Sequence, residues 1–207
     1  MLTAVAVVIV ARVRNRWVDR VLIAGLLASW PVSVLSHWLG GDLSLENGLP
    51  LQLCDAADFA GVIALWRRDR LAAELVYFFG LAGTLQGLIT PNLQDDLPHP
   101  RFVSFFLTHS VIVIAALHVV LAMKLAPRPG AVGRMMVCIL GWALAIGGLN
   151  ALLHTNYGFL CHKPTAASLM DVLGPWPWYI AALVALAVLF FVILDLPFMI
   201  KRRRDQL

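Results

Sequence analysis

Six long apolar stretches alternate with short polar connections along the chain: 18–39, 49–66, 71–90, 101–124, 133–153 and 175–200. Each is near the roughly 20 residues that a helix needs to cross the hydrocarbon of a bilayer. A seventh, Met1–Ala11, is too short to span. Its arginines follow it, whereas a secretory signal carries its positive charge first. It is expected to be a shortened first helix whose start lies upstream. The pattern predicts an all-α polytopic membrane bundle of seven spans, the first shortened, making one domain over residues 1–207. Pro50 is expected in the first turn of its span, where a missing N–H costs nothing. Gly40 to Gly48 reads as a short acidic loop with Asp42 and Glu46, and His154 to Gly174 as the longest loop.

Composition agrees: 60% of the residues are hydrophobic, 14% are charged and the mean hydropathy is +0.82. A soluble domain does not have these values. The net charge of +4 does not indicate nucleic acid, because the basic residues sit in short clusters between apolar runs, as topology signals do. Fourteen of the sixteen Lys and Arg residues fall in four segments, 12–20, 67–70, 124–134 and 201–204; only Arg101 and Lys163 lie elsewhere. Placing those four segments in the cytoplasm sets the N-terminus outside and the C-terminus inside. Trp176, Trp178 and Tyr179 then mark the outer interface, and Trp17 and Trp66 the inner one. Three cysteines, Cys54, Cys138 and Cys161, make no disulfide framework.

Polar residues inside the spans carry the candidate chemistry, because a bilayer core penalises them unless they face the bundle interior or a wet cavity. Leu49-Pro-Leu-Gln-Leu-Cys-Asp-Ala-Ala-Asp58 places Cys54 near a helix N-terminus, where the dipole favours a thiolate. Asp58 is one turn further along the same face and Asp55 beside it. His109, Gln86, Thr90, Asn150, His154, Ser36 and His37 fall in the same outer third. One polar cavity open to the extracytoplasmic side accounts for that convergence. A thiol, an imidazole to take its proton and a carboxylate to orient the imidazole form a nucleophilic template. Cys54, His109 and either Asp58 or Asp55 fit it by depth. Asn150 or Gln86 is a candidate oxyanion donor, and Arg101 or Lys163 a candidate partner for a phospholipid phosphate. Blander roles stand beside these. Cysteine packs as a small hydrophobe, Asp55 complements a helix dipole, and His118, nearer the inner side, is expected to be structural. Cys161-His162-Lys163 is a rival site on a loop. No spacing indicates a metal, and no glycine-rich phosphate loop is present.

Several motifs resemble the YwaF-like family of integral membrane proteins. They are Leu49-Pro-Leu-Gln-Leu-Cys-Asp55, Tyr77-Phe-Phe-Gly-Leu-Ala-Gly-Thr-Leu-Gln-Gly-Leu-Ile-Thr-Pro91, Phe105-Phe-Leu-Thr-His109, Thr155-Asn-Tyr-Gly-Phe-Leu-Cys-His-Lys-Pro164 and Ser168-Leu-Met-Asp-Val-Leu-Gly-Pro-Trp-Pro-Trp178. The resemblance runs from about residue 18 to 198. The family includes a vertebrate acyltransferase that places polyunsaturated acyl chains on ether phospholipids with a cysteine nucleophile and a histidine. More distant relatives hydrolyse fatty-acid esters with threonine and histidine. The resemblance implies that Cys54 is the nucleophile and His109 its histidine. Gln52 departs from it, standing where many members carry histidine.

The expected function is an intramembrane acyltransferase or acyl hydrolase that moves a fatty acyl group from a phospholipid through an acyl-cysteine to a lysophospholipid or to water. No cofactor, metal or nucleic acid enters this reading. The expected location is a bacterial cell membrane, with the site facing outward. The rival is a proton- or ion-coupled transporter built on Asp55, Asp58 and His109.

Overall fold

The computed structural model describes residues 13–93 and 95–206. The shortened helix expected at Met1–Ala11 lies outside the described residues, which form helices and loops. Helix α1 spans Arg16–Gly40, a short α2 Leu45–Gly48, α3 Leu53–Arg67 and α4 Arg70–Phe79. A π-helical turn, Gly80–Thr84, continues α4 into α5, Leu85–Ile89. Then come α6 (Pro100–Leu121), α7 (Ala131–Leu153) and α8 (Trp178–Arg204). Six of these helical segments are long and apolar enough to cross a membrane, and the chain is an integral membrane protein.

The ends follow local chemistry. Asn15 caps α1 by accepting from the Trp17 amide at 2.9 Å, and Asp69 caps α4 by accepting from the Ala72 amide at 2.8 Å. Pro100 occupies the first position of α6, where it costs no hydrogen bond. Two expectations need correcting. Pro50 is not in the first turn of α3. Leu49 is extended, as a residue before proline must be, and the helix starts at Leu53. The loop expected at 40–48 folds its second half into α2.

Helices α1, α3, α4 and α6 form the centre, with α7 and α8 packed outside. Lipid tails supply no hydrophobic force between helices, so close packing of small residues does this work. Ala57, Ala60 and Ala64 of α3, Ala72 and Ala73 of α4, and Ala115 and Ala116 of α6 are all buried. A Cβ on Gly80 would lie 3.1 Å from that of Ala116, so the π-helical turn and α6 nearly touch there.

The basic end is tied by buried acids. Glu74 of α4, 1% exposed, accepts from the Arg128 amide (2.9 Å), Arg128 Nε (3.0 Å) and Arg134 Nη2 (2.8 Å) on one oxygen, and from Arg128 Nη2 (3.2 Å) and Arg134 Nε (3.0 Å) on the other. Arg202 of α8 donates to both oxygens of Asp195 at 3.0 Å and to the Pro127 carbonyl at 2.8 Å. The segments 124–134 and 201–204 therefore share one end of the bundle. Near that end His118, fully buried, pairs with Asp19 of α1 at 2.7 Å, the structural role expected of it.

Removing both arginines leaves Glu74 buried without compensation. Arg128→Ala combined with Arg134→Ala is expected to cost about 3–5 kcal/mol, and either single change well under half of that. Thermal unfolding in detergent micelles checks this.

Candidate active site

The first turn of α3 is built by a reciprocal cap. The Gln52 amide donates to Asp55 Oδ2 at 2.8 Å, while the Asp55 and Ala56 amides return to the Gln52 carbonyl. Cys54 is therefore the second residue of the helix, rather than one turn inside it. It is half-buried and packs on the core. Asp55 spends its carboxylate on the cap, which is the bland alternative foreseen for it. The Gln52 side chain is occupied too: its Oε1 accepts from the Gly158 amide at 2.9 Å, joining this turn to the loop after α7.

Glycine contacts give the helices a common register. Gly61 of α3 abuts Val76 of α4, with a Cβ there meeting Val76 Cγ2 at 3.3 Å. A two-residue link makes these helices antiparallel. Moving outward, Cys54 lies about 10 Å and Thr84 about 12 Å from that contact at 1.5 Å per residue. The contact of Gly83 with Leu53 Cδ2, 3.2 Å from a Cβ, confirms the level. Further along the segment Gly87 faces His109, whose Nε2 lies 3.7 Å from a Cβ placed there. Leu53 and His109 thus flank one stretch, 83–87. Cys54 and Thr84 lie at similar depth, His109 meets Gly87 about one turn further out, and Asp58 is one turn deeper than Cys54.

His109 stacks on Phe105 at 4.0 Å between ring centroids, and its Nδ1 lies 2.9 Å from the Phe105 carbonyl. A carbonyl only accepts, so Nδ1 carries the proton and the Nε2 lone pair is open. No hydrogen bond to Nε2 occurs among the described residues. The sequence reading had a carboxylate orient this ring; the structure corrects that, because a backbone carbonyl one turn back does so.

Other polar groups expected in one cavity divide between two separate structures. Asn150, 1% exposed, accepts from Thr155 Oγ1 and the Tyr157 amide, both at 2.9 Å, and donates to the Tyr157 carbonyl at 3.0 Å. It shapes the loop and is not a free oxyanion donor. His154 ends α7 in a left-handed conformation (φ 55°) and is exposed. Asn156 organises the rest of this loop through the amides of Cys161 and His162 and the carbonyl of His162, leaving Cys161 exposed. Tyr157 reaches the Leu45 carbonyl and Tyr179 the Phe159 carbonyl. The loop thereby closes over the Cys54 end of the bundle.

The second structure is centred on Arg101, which pairs with Asp42 and, at 2.5 Å, with Asp95. His37 joins through Asp42 at 3.0 Å. Burial opposes ionisation of Asp42, but His37 and Arg101 outweigh it and hold the carboxyl below its usual range. Two carboxylates already neutralise Arg101, so it is no open phosphate site. Lys163 lies over the Tyr179 ring at 5.7 Å and reaches the Asp171 carbonyl at 3.4 Å. Gln86 is half-buried on α5, and its side chain makes no hydrogen bond among the described residues.

Sequence reasoning assigned no role to Thr84, to Glu74 or to the Gln52 side chain. The signal was present for two of them: Glu74 is an acid within an apolar span, and Thr84 lies in the motif 77–91.

Compared with known proteins, the chain matches the family model described as the TMEM164 family over residues 1–195. This bears out the resemblance carried by its motifs. No curated protein and no solved structure matches it.

Gly158 combines φ +66° with a Cβ position only 2.3 Å from Trp142 Cη2. Gly158→Ala is expected to lower stability by at least about 1–2 kcal/mol from the left-handed backbone alone. Adding Trp142→Ala should recover only the steric part. Unfolding of the single and double variants checks both effects.

Proposed function

The chain belongs to the TMEM164 family, and we propose that it is a thiol-dependent lipid acyltransferase or acyl hydrolase working within the membrane. The observation that carries this reading is that α3, with Cys54 at its N-terminus and Leu53 against Gly83, and His109, with Nε2 open and its ring against Gly87, meet the same segment 83–87. His109 Nε2 takes the thiol proton as Cys54 Sγ attacks the ester carbonyl carbon of a phospholipid. The Leu53 and Cys54 amides, which have no acceptor in the first turn, and the Gln86 side chain are positioned to steady the oxyanion. The C–O bond breaks, the proton passes from His109 to the departing lysolipid oxygen, and an acyl-cysteine remains. A lysophospholipid or water then resolves it.

Asp55 acts through the cap, and the Phe105 carbonyl fixes the imidazole. The apolar flanks of α1 and α6 admit the acyl chain from the lipid, and Lys163 is the cation left for a headgroup. The basic clusters support a reading with the Glu74 end in the cytoplasm and Cys54 toward the extracytoplasmic face of a bacterial cell membrane.

In phospholipid vesicles, Cys54→Ala and His109→Ala are each expected to reduce acyl release and transfer at least about 10²-fold, the scale of one nucleophile or base. Asp55→Asn should reduce stability more than turnover. A Cys54→Ser protein that moves protons or ions across the vesicle membrane like the wild type, with no lipid turnover in either, would support the transporter instead.

A further inference from the structure

Two buried polar atoms near Cys54 have no hydrogen-bond partner among the described residues: Thr84 Oγ1, at similar depth, and Asp58 Oδ1, one turn deeper, on residues 3% and 5% exposed. Neither is explained by the acylation step. The state of Thr84 has a structural cause. A threonine in a helix ordinarily returns its hydroxyl to a carbonyl three or four residues back. Thr108 does so to Phe105 and Thr90 to Gln86, both at 3.1 Å. Thr84 ends the π-helical turn, where the Leu85 amide takes the Gly80 carbonyl and the stagger of the turn differs. Its hydroxyl is left facing the interior. Such turns concentrate at functional sites.

Asp58 sits on the same face of α3 as Cys54, one turn deeper, and the π-helical turn packs against α3, with Gly83 on Leu53 at its N-terminus. A hydroxyl that donates or accepts and a carboxylate that accepts suit one small molecule carrying both kinds of group. Water is that molecule, and buried waters are held by two to four such partners. Building on the acyl-cysteine reading above, we propose that Asp58 and Thr84 hold the water that resolves the acyl-cysteine, so that water competes with a lysolipid for the acyl group.

The step balances. The water oxygen bonds to the thioester carbonyl carbon while one of its protons passes to Asp58. The carbon–sulfur bond breaks with its electron pair on Cys54 Sγ, and the proton returns from Asp58 to the sulfur. Acyl-cysteine and water become a fatty acid and a thiol, and nothing else is consumed.

The test uses the full chain in phosphatidylcholine vesicles with added lysophosphatidylcholine. It measures the ratio of free fatty acid to transferred acyl chain, and the acyl-enzyme by intact mass. Thr84→Val and Asp58→Asn should each lower that ratio at least tenfold and raise the standing fraction of acyl-enzyme, and Thr84→Ser should restore both. Thr84→Val is nearly isosteric, so it decides the matter even where Asp58→Asn fails to fold. A wild type that carries the adduct, with the ratio unchanged in Thr84→Val, overturns this inference alone. A wild type that never carries the adduct overturns the reading of Cys54 and this inference with it.

Discussion

A polar group between these helices must be answered by another, because neither lipid tails nor alanine side chains can hydrogen-bond it. The architecture follows from how each is answered. Glu74 is saturated by two arginines, Asp195 by a third, and Asp19 by His118. These pairs fix the basic end and leave it little chemistry. At the other end Asn150 and Asn156 are consumed in shaping a loop, and Arg101 in joining Asp42 to Asp95. After that accounting, Cys54, His109 Nε2, Asp58, Thr84 and Gln86 remain on α3, α6 and the segment 84–86, besides single atoms of Asp42, Arg101 and His118 whose residues are otherwise paired.

The segment 80–87 is held by close packing. Gly83 admits Leu53, Gly87 admits the His109 ring, and Gly80 admits Ala116. Larger side chains would push α3 and α6 away from the segment 80–87 and so displace the elements that carry the thiol and the imidazole. The loop 154–177 completes the arrangement, since Gln52 caps the helix that carries Cys54 and also accepts from Gly158. Loop and nucleophile are coupled through one glutamine, whose backbone makes the cap and whose side chain holds the loop.

The spans were legible because hydropathy reports them directly, and five of the six observed boundaries at the start of a span lie within three residues of expectation. Depth was legible only as far as the outer third, because rise per residue converts position into depth but put His109 level with Asp58, whereas its ring meets Gly87 near the outer end of α5. What depth cannot supply is azimuth. Asn150 lies at the right level yet turns toward its own loop, and His154 turns outward. The orientation of His109 by Phe105 rather than by an aspartate rests on a carbonyl, which leaves no mark in the sequence. Arg101 looked free because the carboxylates that hold it come from two loops, whose conformations follow no hydrophobic period. The π-helical turn was hidden for a similar reason, since its segment reads as an uninterrupted apolar helix.

The central claim is that the thiol of Cys54 carries an acyl group. The direct measurement is the intact mass of the purified chain after incubation with phospholipid, for the wild type and Cys54→Ala. The account predicts a hydroxylamine-labile fatty-acyl increment on the wild type alone. An increment equally present on Cys54→Ala, or none on the wild type even while lipid is being turned over, would contradict it.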